Sequence, residues 1–137
     1  VSPQAIASGL YTNPLTDKET LCQMLYDLCY FYEKRTGFYS NAFVRKCYTL
    51  GLRYFPISTL RILELSDLKY QLDKELWQRG RRDKYDFTDF PDLQARYLQF
   101  QEMRAEIEAL GFYQYSSKEI KDKLDKIKEL SEKNLIK

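Results

Sequence analysis

The stretch Leu110-Gly-Phe-Tyr-Gln-Tyr-Ser116-Ser-Lys-Glu119-Ile120-Lys-Asp-Lys-Leu124-Asp-Lys-Ile127-Lys-Glu-Leu130 reads as a helix end, a short turn and a second helix. Leucine followed by glycine marks a helix stop, because glycine adopts the left-handed conformation without steric cost. Ser116 and Glu119 then stand at the spacing of a capping box, in which each side chain satisfies the other residue's free backbone N–H. Ile120, Leu124, Ile127 and Leu130 recur at steps of four and three, which makes one apolar helical stripe. An approximate copy occurs earlier as Leu50-Gly51-Leu-Arg-Tyr-Phe-Pro-Ile-Ser58, followed by Ile62, Leu65 and Leu68. A helical unit is therefore expected twice.

Working outward, residues 1–15 hold Pro3, Gly9, Asn13 and Pro14 without a sustained period, and read as a loosely packed N-terminal extension. Thr16-Asp-Lys-Glu19 is a second capping box, so a helix starts there, with Leu21, Leu25, Leu28 and Tyr32 as its stripe and Gly37 as its stop. Cys22, Met24, Tyr26, Cys29, Tyr30 and Phe31 fill much of the remaining circumference. A helix apolar nearly all round is covered on more than one side. Ser40 is placed to cap the next helix, with Phe43, Cys47 and Leu50 facing inward and Gly51 as the stop. Ser58 caps a long helix carrying Ile62, Leu65, Leu68, Leu72 and Leu76. Residues 78–90 lack a stripe and read as a loop. Pro91 suits the first turn of another helix, whose stripe is Leu93, Tyr97, Phe100, Met103, Ile107 and Leu110, ended by Gly111. No strand-like alternation persists, so the class is all-α, a compact bundle of about five helices.

Composition narrows the function. A chain of 137 residues with 44% hydrophobic and 31% charged residues has room for a real core and is neither a disordered polyelectrolyte nor a membrane protein. No apolar run approaches the roughly 20 residues that span a bilayer, and no signal-peptide pattern opens the chain. The compartment read from this is intracellular and reducing, and a start at Val1 rather than Met suggests an excised or processed piece. Cys22, Cys29 and Cys47 read as buried free thiols. With no histidine, Ser-His and Cys-His pairs and His-containing zinc sites are excluded. No glycine-rich phosphate loop or nucleophile-elbow motif occurs. Neither an enzyme nor a cofactor, metal or small-molecule substrate is expected. The net charge of +2 supplies no domain-wide field to hold nucleic acid.

The two halves align. Leu21-Cys-Gln-Met-Leu-Tyr-Asp-Leu-Cys-Tyr30 falls on Leu68-Lys-Tyr-Gln-Leu-Asp-Lys-Glu-Leu-Trp77, and Leu50-Gly51 falls on Leu110-Gly111 at a larger offset that fits an insertion in 78–90. The division is an extension over 1–15, a first helical copy over 16–67 and a second over 68–137, packed as one unit and sharing the long element from Ser58 to Trp77. A helix ending in Leu76-Trp77, then Tyr85, Leu110-Gly111 and the helix from Ser116 to Ile127 resemble the Myb/SANT-like domain of the MADF type. The resemblance covers roughly 68–133, and 21–68 more weakly. The two tryptophans usual in that family's second and third helices are replaced here around Phe100 to Met103 and at Leu124. The family implies a three-helix module of nuclear transcription and chromatin proteins, whose last helix enters the DNA major groove or binds protein.

Three residue sets compete for the binding role. With Ile120, Leu124, Ile127 and Leu130 in the core, the last helix points Lys118, Asp122, Asp125 and Glu129 outward, and carboxylates repel phosphates. Lys118, Lys121 and Lys128, helped by Arg81 and Arg82 of the basic loop, form the nucleic-acid candidate, against the plainer reading of a solvated helix with internal ion pairs. That loop runs on into Tyr85, Phe87 and Phe90, a mixture that stacks on single strands or tucks into the core. The third set is a surplus among the twelve tyrosines, namely Tyr26, Tyr30, Tyr39, Tyr48 and Tyr54, whose exposed members form a protein-contact patch. A protein-interaction module of a transcription or chromatin factor, with a protein partner or self-association, is the expected function. DNA binding through the basic set is the alternative.

Overall fold

The computed structural model describes residues 2–10, 12–37, 41–80, 87–112 and 121–129. Five helices follow in order: α1 (Pro3–Ala7), α2 (Asp17–Thr36), α3 (Ala42–Tyr54), α4 (Leu60–Gln78) and α5 (Pro91–Leu110). A sixth helical segment, α6, covers 121–129. The chain is an all-α bundle, with no strand among the described residues.

The helix ends form as local chemistry directs. Glu19 N–H donates to Thr16 Oγ1 at 3.2 Å and Thr16 N–H to Glu19 Oε2 at 2.8 Å, which closes the capping box of α2. The bond from Thr16 N–H, followed by one that Thr16 Oγ1 donates to the same carboxylate oxygen at 2.8 Å, holds the Glu19 carboxyl below its ordinary range. Gly37 and Gly111 end α2 and α5 in the left-handed conformation, and Pro91 occupies the first turn of α5. Ser40 lies outside the described residues. The cap of α3 is Asn41, whose side chain accepts from Val44 N–H at 2.9 Å.

The core is two clusters joined by α4. Leu60 and Leu63 of α4 pack with Cys29 of α2 and with Val44, Cys47 and Tyr48 of α3. Leu65, Leu72 and Leu76 of the same helix pack with Phe87 and with Leu93, Phe100 and Ile107 of α5. One long helix, α4, therefore borders both clusters. Ion pairs line the α4–α5 side: Arg79 grips both Asp92 carboxylate oxygens at 3.0 and 2.7 Å, Arg96 bonds Glu75, and Arg61 meets Glu106 at 3.1 Å. The Arg79 hydrogen bonds hold the Asp92 carboxyl below its usual range.

Three expectations are corrected by packing. Gly51 does not stop α3 but lies buried inside it, where a Cβ would stand 2.2 Å from Leu60 Cδ1. The missing side chain leaves room there for the Leu60 methyl at the start of α4, which a Cβ would push aside. The two Leu-Gly pairs thus differ, one in mid-helix and one at a helix end. The inward face of α3 is Val44, Cys47, Tyr48 and Gly51, while Phe43 and Leu50 face solvent. Finally, the N-terminal stretch is not loose: α1 docks on the end of α5, with Ala5 fully buried and Ser8 Oγ donating to Leu110 O at 2.8 Å.

Gly111 serves that docking twice, through its φ of 84° and because a Cβ there would stand 2.2 Å from the Ala5 backbone nitrogen. Gly111→Ala is expected to cost about 2–4 kcal/mol, combining left-handed strain with overpacking, and to speed amide exchange at Ala5 and Ile6. Gly51→Ala should cost about 1–3 kcal/mol without that local signature. Urea unfolding with residue-resolved hydrogen exchange separates the two.

Candidate functional site

Of the five tyrosines proposed as a contact patch, Tyr39 lies outside the described residues. Tyr48 is buried, its hydroxyl donating to Asp67 Oδ2 at 2.7 Å, so it belongs to the core rather than to a surface. Burial, followed by that bond, pushes the Tyr48 phenol well up. Tyr26 is half-buried against the α2–α3–α4 cluster. Tyr30 and Tyr54 remain exposed, each with a lysine over its ring, Lys34 at 5.4 Å and Lys18 at 5.2 Å.

Of the nucleic-acid set, Arg81, Arg82 and Lys118 lie outside the described residues. Lys121 and Lys128 are exposed on α6. The expected inward face of that helix is not inward where it is described: Leu124 and Ile127 are 60% and 63% exposed. Ile120 and Leu130 fall outside the described residues. Among the described helices it is instead α3 that carries basic residues, Arg45, Lys46 and Arg53, and no acidic one. Lys46, Thr49, Leu50 and Arg53 line a shallow groove of about 340 Å³ there.

Asp67 anchors the one buried carboxylate network among the described residues. Besides Tyr48 it takes Arg45 Nε at 3.0 Å and Nη2 at 3.3 Å, and it lines a cleft of about 360 Å³ between α3, α4 and α5 with Glu64, Gln71 and Gln99. A carboxylate that receives three hydrogen bonds is a satisfied latch between α3 and α4. Burial pushes the neighbouring Glu64 and Glu33 carboxyls up, Glu33 with a further push from Asp67. Cys29 is packed against Cys47, and burial raises its thiol to about 12. All three cysteines are buried and free, and a thiol that holds its proton so firmly is a poor nucleophile. No group of three or more metal-ligating side chains is assembled among the described residues. Nor is any helix there long and apolar enough to cross a membrane.

Among the described residues, exposed apolar side chains line up along α2. Leu21, Met24, Leu28 and Phe31 are 63%, 59%, 50% and 67% exposed. At 3.6 residues per turn these four fall within an arc of about 80°. The opposite flank of the same helix buries Cys22 and Cys29. Tyr32 stands against Phe43 with ring centroids 4.7 Å apart, and Lys18 reaches Tyr54, so Phe43 and Tyr54 of α3 border the stripe on one side. The residues were present in the sequence, but the stripe Leu21, Leu25, Leu28, Tyr32 interleaves with Leu21, Met24, Leu28, Phe31, and spacing alone does not show which is covered.

With this geometry in hand, comparison with known proteins returns no match, neither to a family model nor to a curated protein nor to a solved structure.

Glu33 and Glu64 give a pH signature. Their folded values are raised, so the folded state binds protons more tightly than the unfolded chain. The stability they contribute is fullest below the unfolded carboxylate range and falls as pH rises through it toward the raised values. Glu33→Gln and Glu64→Gln should therefore raise the thermal midpoint near about pH 7 and change it little near about pH 3.5, read by circular-dichroism melts across that range.

Proposed function

We propose that the chain is a non-catalytic protein-interaction module whose contact surface is the exposed face of α2, bordered by Tyr54 and Phe43. The observation that carries this is the stripe Leu21, Met24, Leu28 and Phe31 on a helix whose other flank is already in the core. Four adjacent large apolar side chains, each at least half exposed, form a contiguous patch of the kind that soluble proteins cover with a partner. Tyr30 and Tyr54 add rigid aromatic area with polar tips beside it. The nuclear transcription or chromatin setting is part of the proposal and rests on the Myb/SANT-like resemblance alone.

A second reading, DNA binding, finds support in the all-basic α3 rather than in the helix that the resemblance would use. It requires affinity that falls steeply with salt, since each phosphate neutralised releases a counterion. Reversal of Lys46 and Arg53 would remove it.

For the protein-interaction reading, Leu28→Glu should abolish binding of a purified protein partner, a loss of at least about 100-fold if Leu28 is central to the contact. It should leave the helical content unchanged, because half of the side chain already faces solvent. Tyr48→Phe should do the reverse, costing about 1.5–3 kcal/mol of stability with binding retained. Binding that survives Leu28→Glu places the contact elsewhere.

A further inference from the structure

The exposed stripe of α2 carries its own complement. Read as a heptad, Leu21 and Leu28 take a positions and Met24 and Phe31 take d positions. The seam extends one position at each end, to Asp17 at d and Arg35 at a, both exposed. Among the described residues neither makes an ion pair. Along the helix the seam thus reads acid, four apolar side chains, base.

In an antiparallel pair of helices, a positions of one meet d positions of the other. Laid antiparallel on itself, this seam places Leu21 opposite Phe31 of the second copy, Met24 opposite Leu28, and Asp17 opposite Arg35, each contact made twice about a two-fold axis. A parallel pair would set Asp17 against Asp17 and Arg35 against Arg35, with repulsion at both ends. The macrodipoles agree with the antiparallel choice, since the acidic first turn of α2, with Asp17 and Glu19, would lie beside the basic last turn, with Lys34 and Arg35, of the other copy. Phe43 and Tyr54 border one side of the seam. On the other side is Asp27, exposed, which in this register meets its own copy across the axis and is the pairing's one like-charge contact.

We infer that the partner of the α2 face is a second copy of this chain, bound as an antiparallel two-fold dimer with Asp17–Arg35 pairs closing each end. This rests on the interaction reading above and names its partner. An isologous contact of this kind uses the face completely and stops at two copies.

Sedimentation equilibrium over about 1–500 µM tests it. The chain is expected to form a reversible dimer that Leu28→Glu and Met24→Glu convert to monomer with unchanged helical content. Asp17→Arg and Arg35→Asp should each raise the dimer dissociation constant by at least about fivefold. The double variant should recover most of that loss, and Asp27→Asn should tighten the dimer. Single reversals without effect, or a double variant no better than either, overturn the antiparallel register. A chain that stays monomeric throughout overturns the dimer. If that monomer still loses a different protein partner on Leu28→Glu, the interaction reading stands, and if it binds no protein at all, both fail.

Discussion

The structure depends on α4 being buried from two sides. Leu60, Leu63 and Asp67 lie on one face of its first half and are enclosed by α2 and α3, while Leu65, Leu72 and Leu76 lie on another face and are enclosed by α5. No single layer of helices covers both faces, so the bundle has two small cores with one common wall. Asp67 sits on that wall, and a carboxylate there requires charge and hydrogen bonds in compensation. Arg45 and Tyr48 of α3 supply them, which fixes the rotation of α3 against α4. Gly51 leaves room between the same two helices for the Leu60 side chain.

Helices α3 and α4 both pack on the same side of α2, which leaves α2 with one covered flank. Cys22 and Cys29 turn inward, and the stripe headed by Leu21 faces water. A helix with two apolar flanks in a bundle this thin has only one neighbouring layer, so the second flank is either an energetic liability or a contact surface. Its charges favour the contact surface. Asp17 and Arg35 sit in line with the apolar side chains at opposite ends, an arrangement that complements an antiparallel copy of itself.

Much of the candidate site was legible in residues but not in roles. The tyrosine surplus pointed to the first half of the chain, and Tyr30 and Tyr54 are at the surface there. Tyr48 went inward because Asp67, nineteen positions on in the chain, needs its hydroxyl, and no local pattern reveals a partner at that separation. Leu50 and Phe43 face outward because the buried side of α3 is the one that carries Val44, Cys47, Tyr48 and Gly51. The amphipathic reading of the last helix was sound as periodicity, yet Leu124 and Ile127 are exposed, since a stripe shows only that burial is available.

By itself, the sequence determined the helices and where most of them begin and end. Thr16 with Glu19, Gly37, Pro91 and Gly111 act through hydrogen bonds and dihedral preferences within a few residues, and those are written in order along the chain. It also determined that one long helix follows Ser58, because Ile62, Leu65, Leu68, Leu72 and Leu76 recur at steps of three and four, although the second buried face, Leu60 and Leu63, lay outside that stripe. Only the tertiary structure decided which apolar flank of α2 is covered, that α1 seals the end of α5, and that the two Leu-Gly pairs do unlike work. Those outcomes depend on the distance and rotation between helices, and two stripes of equal hydrophobicity on one helix are equivalent until a neighbour takes one of them.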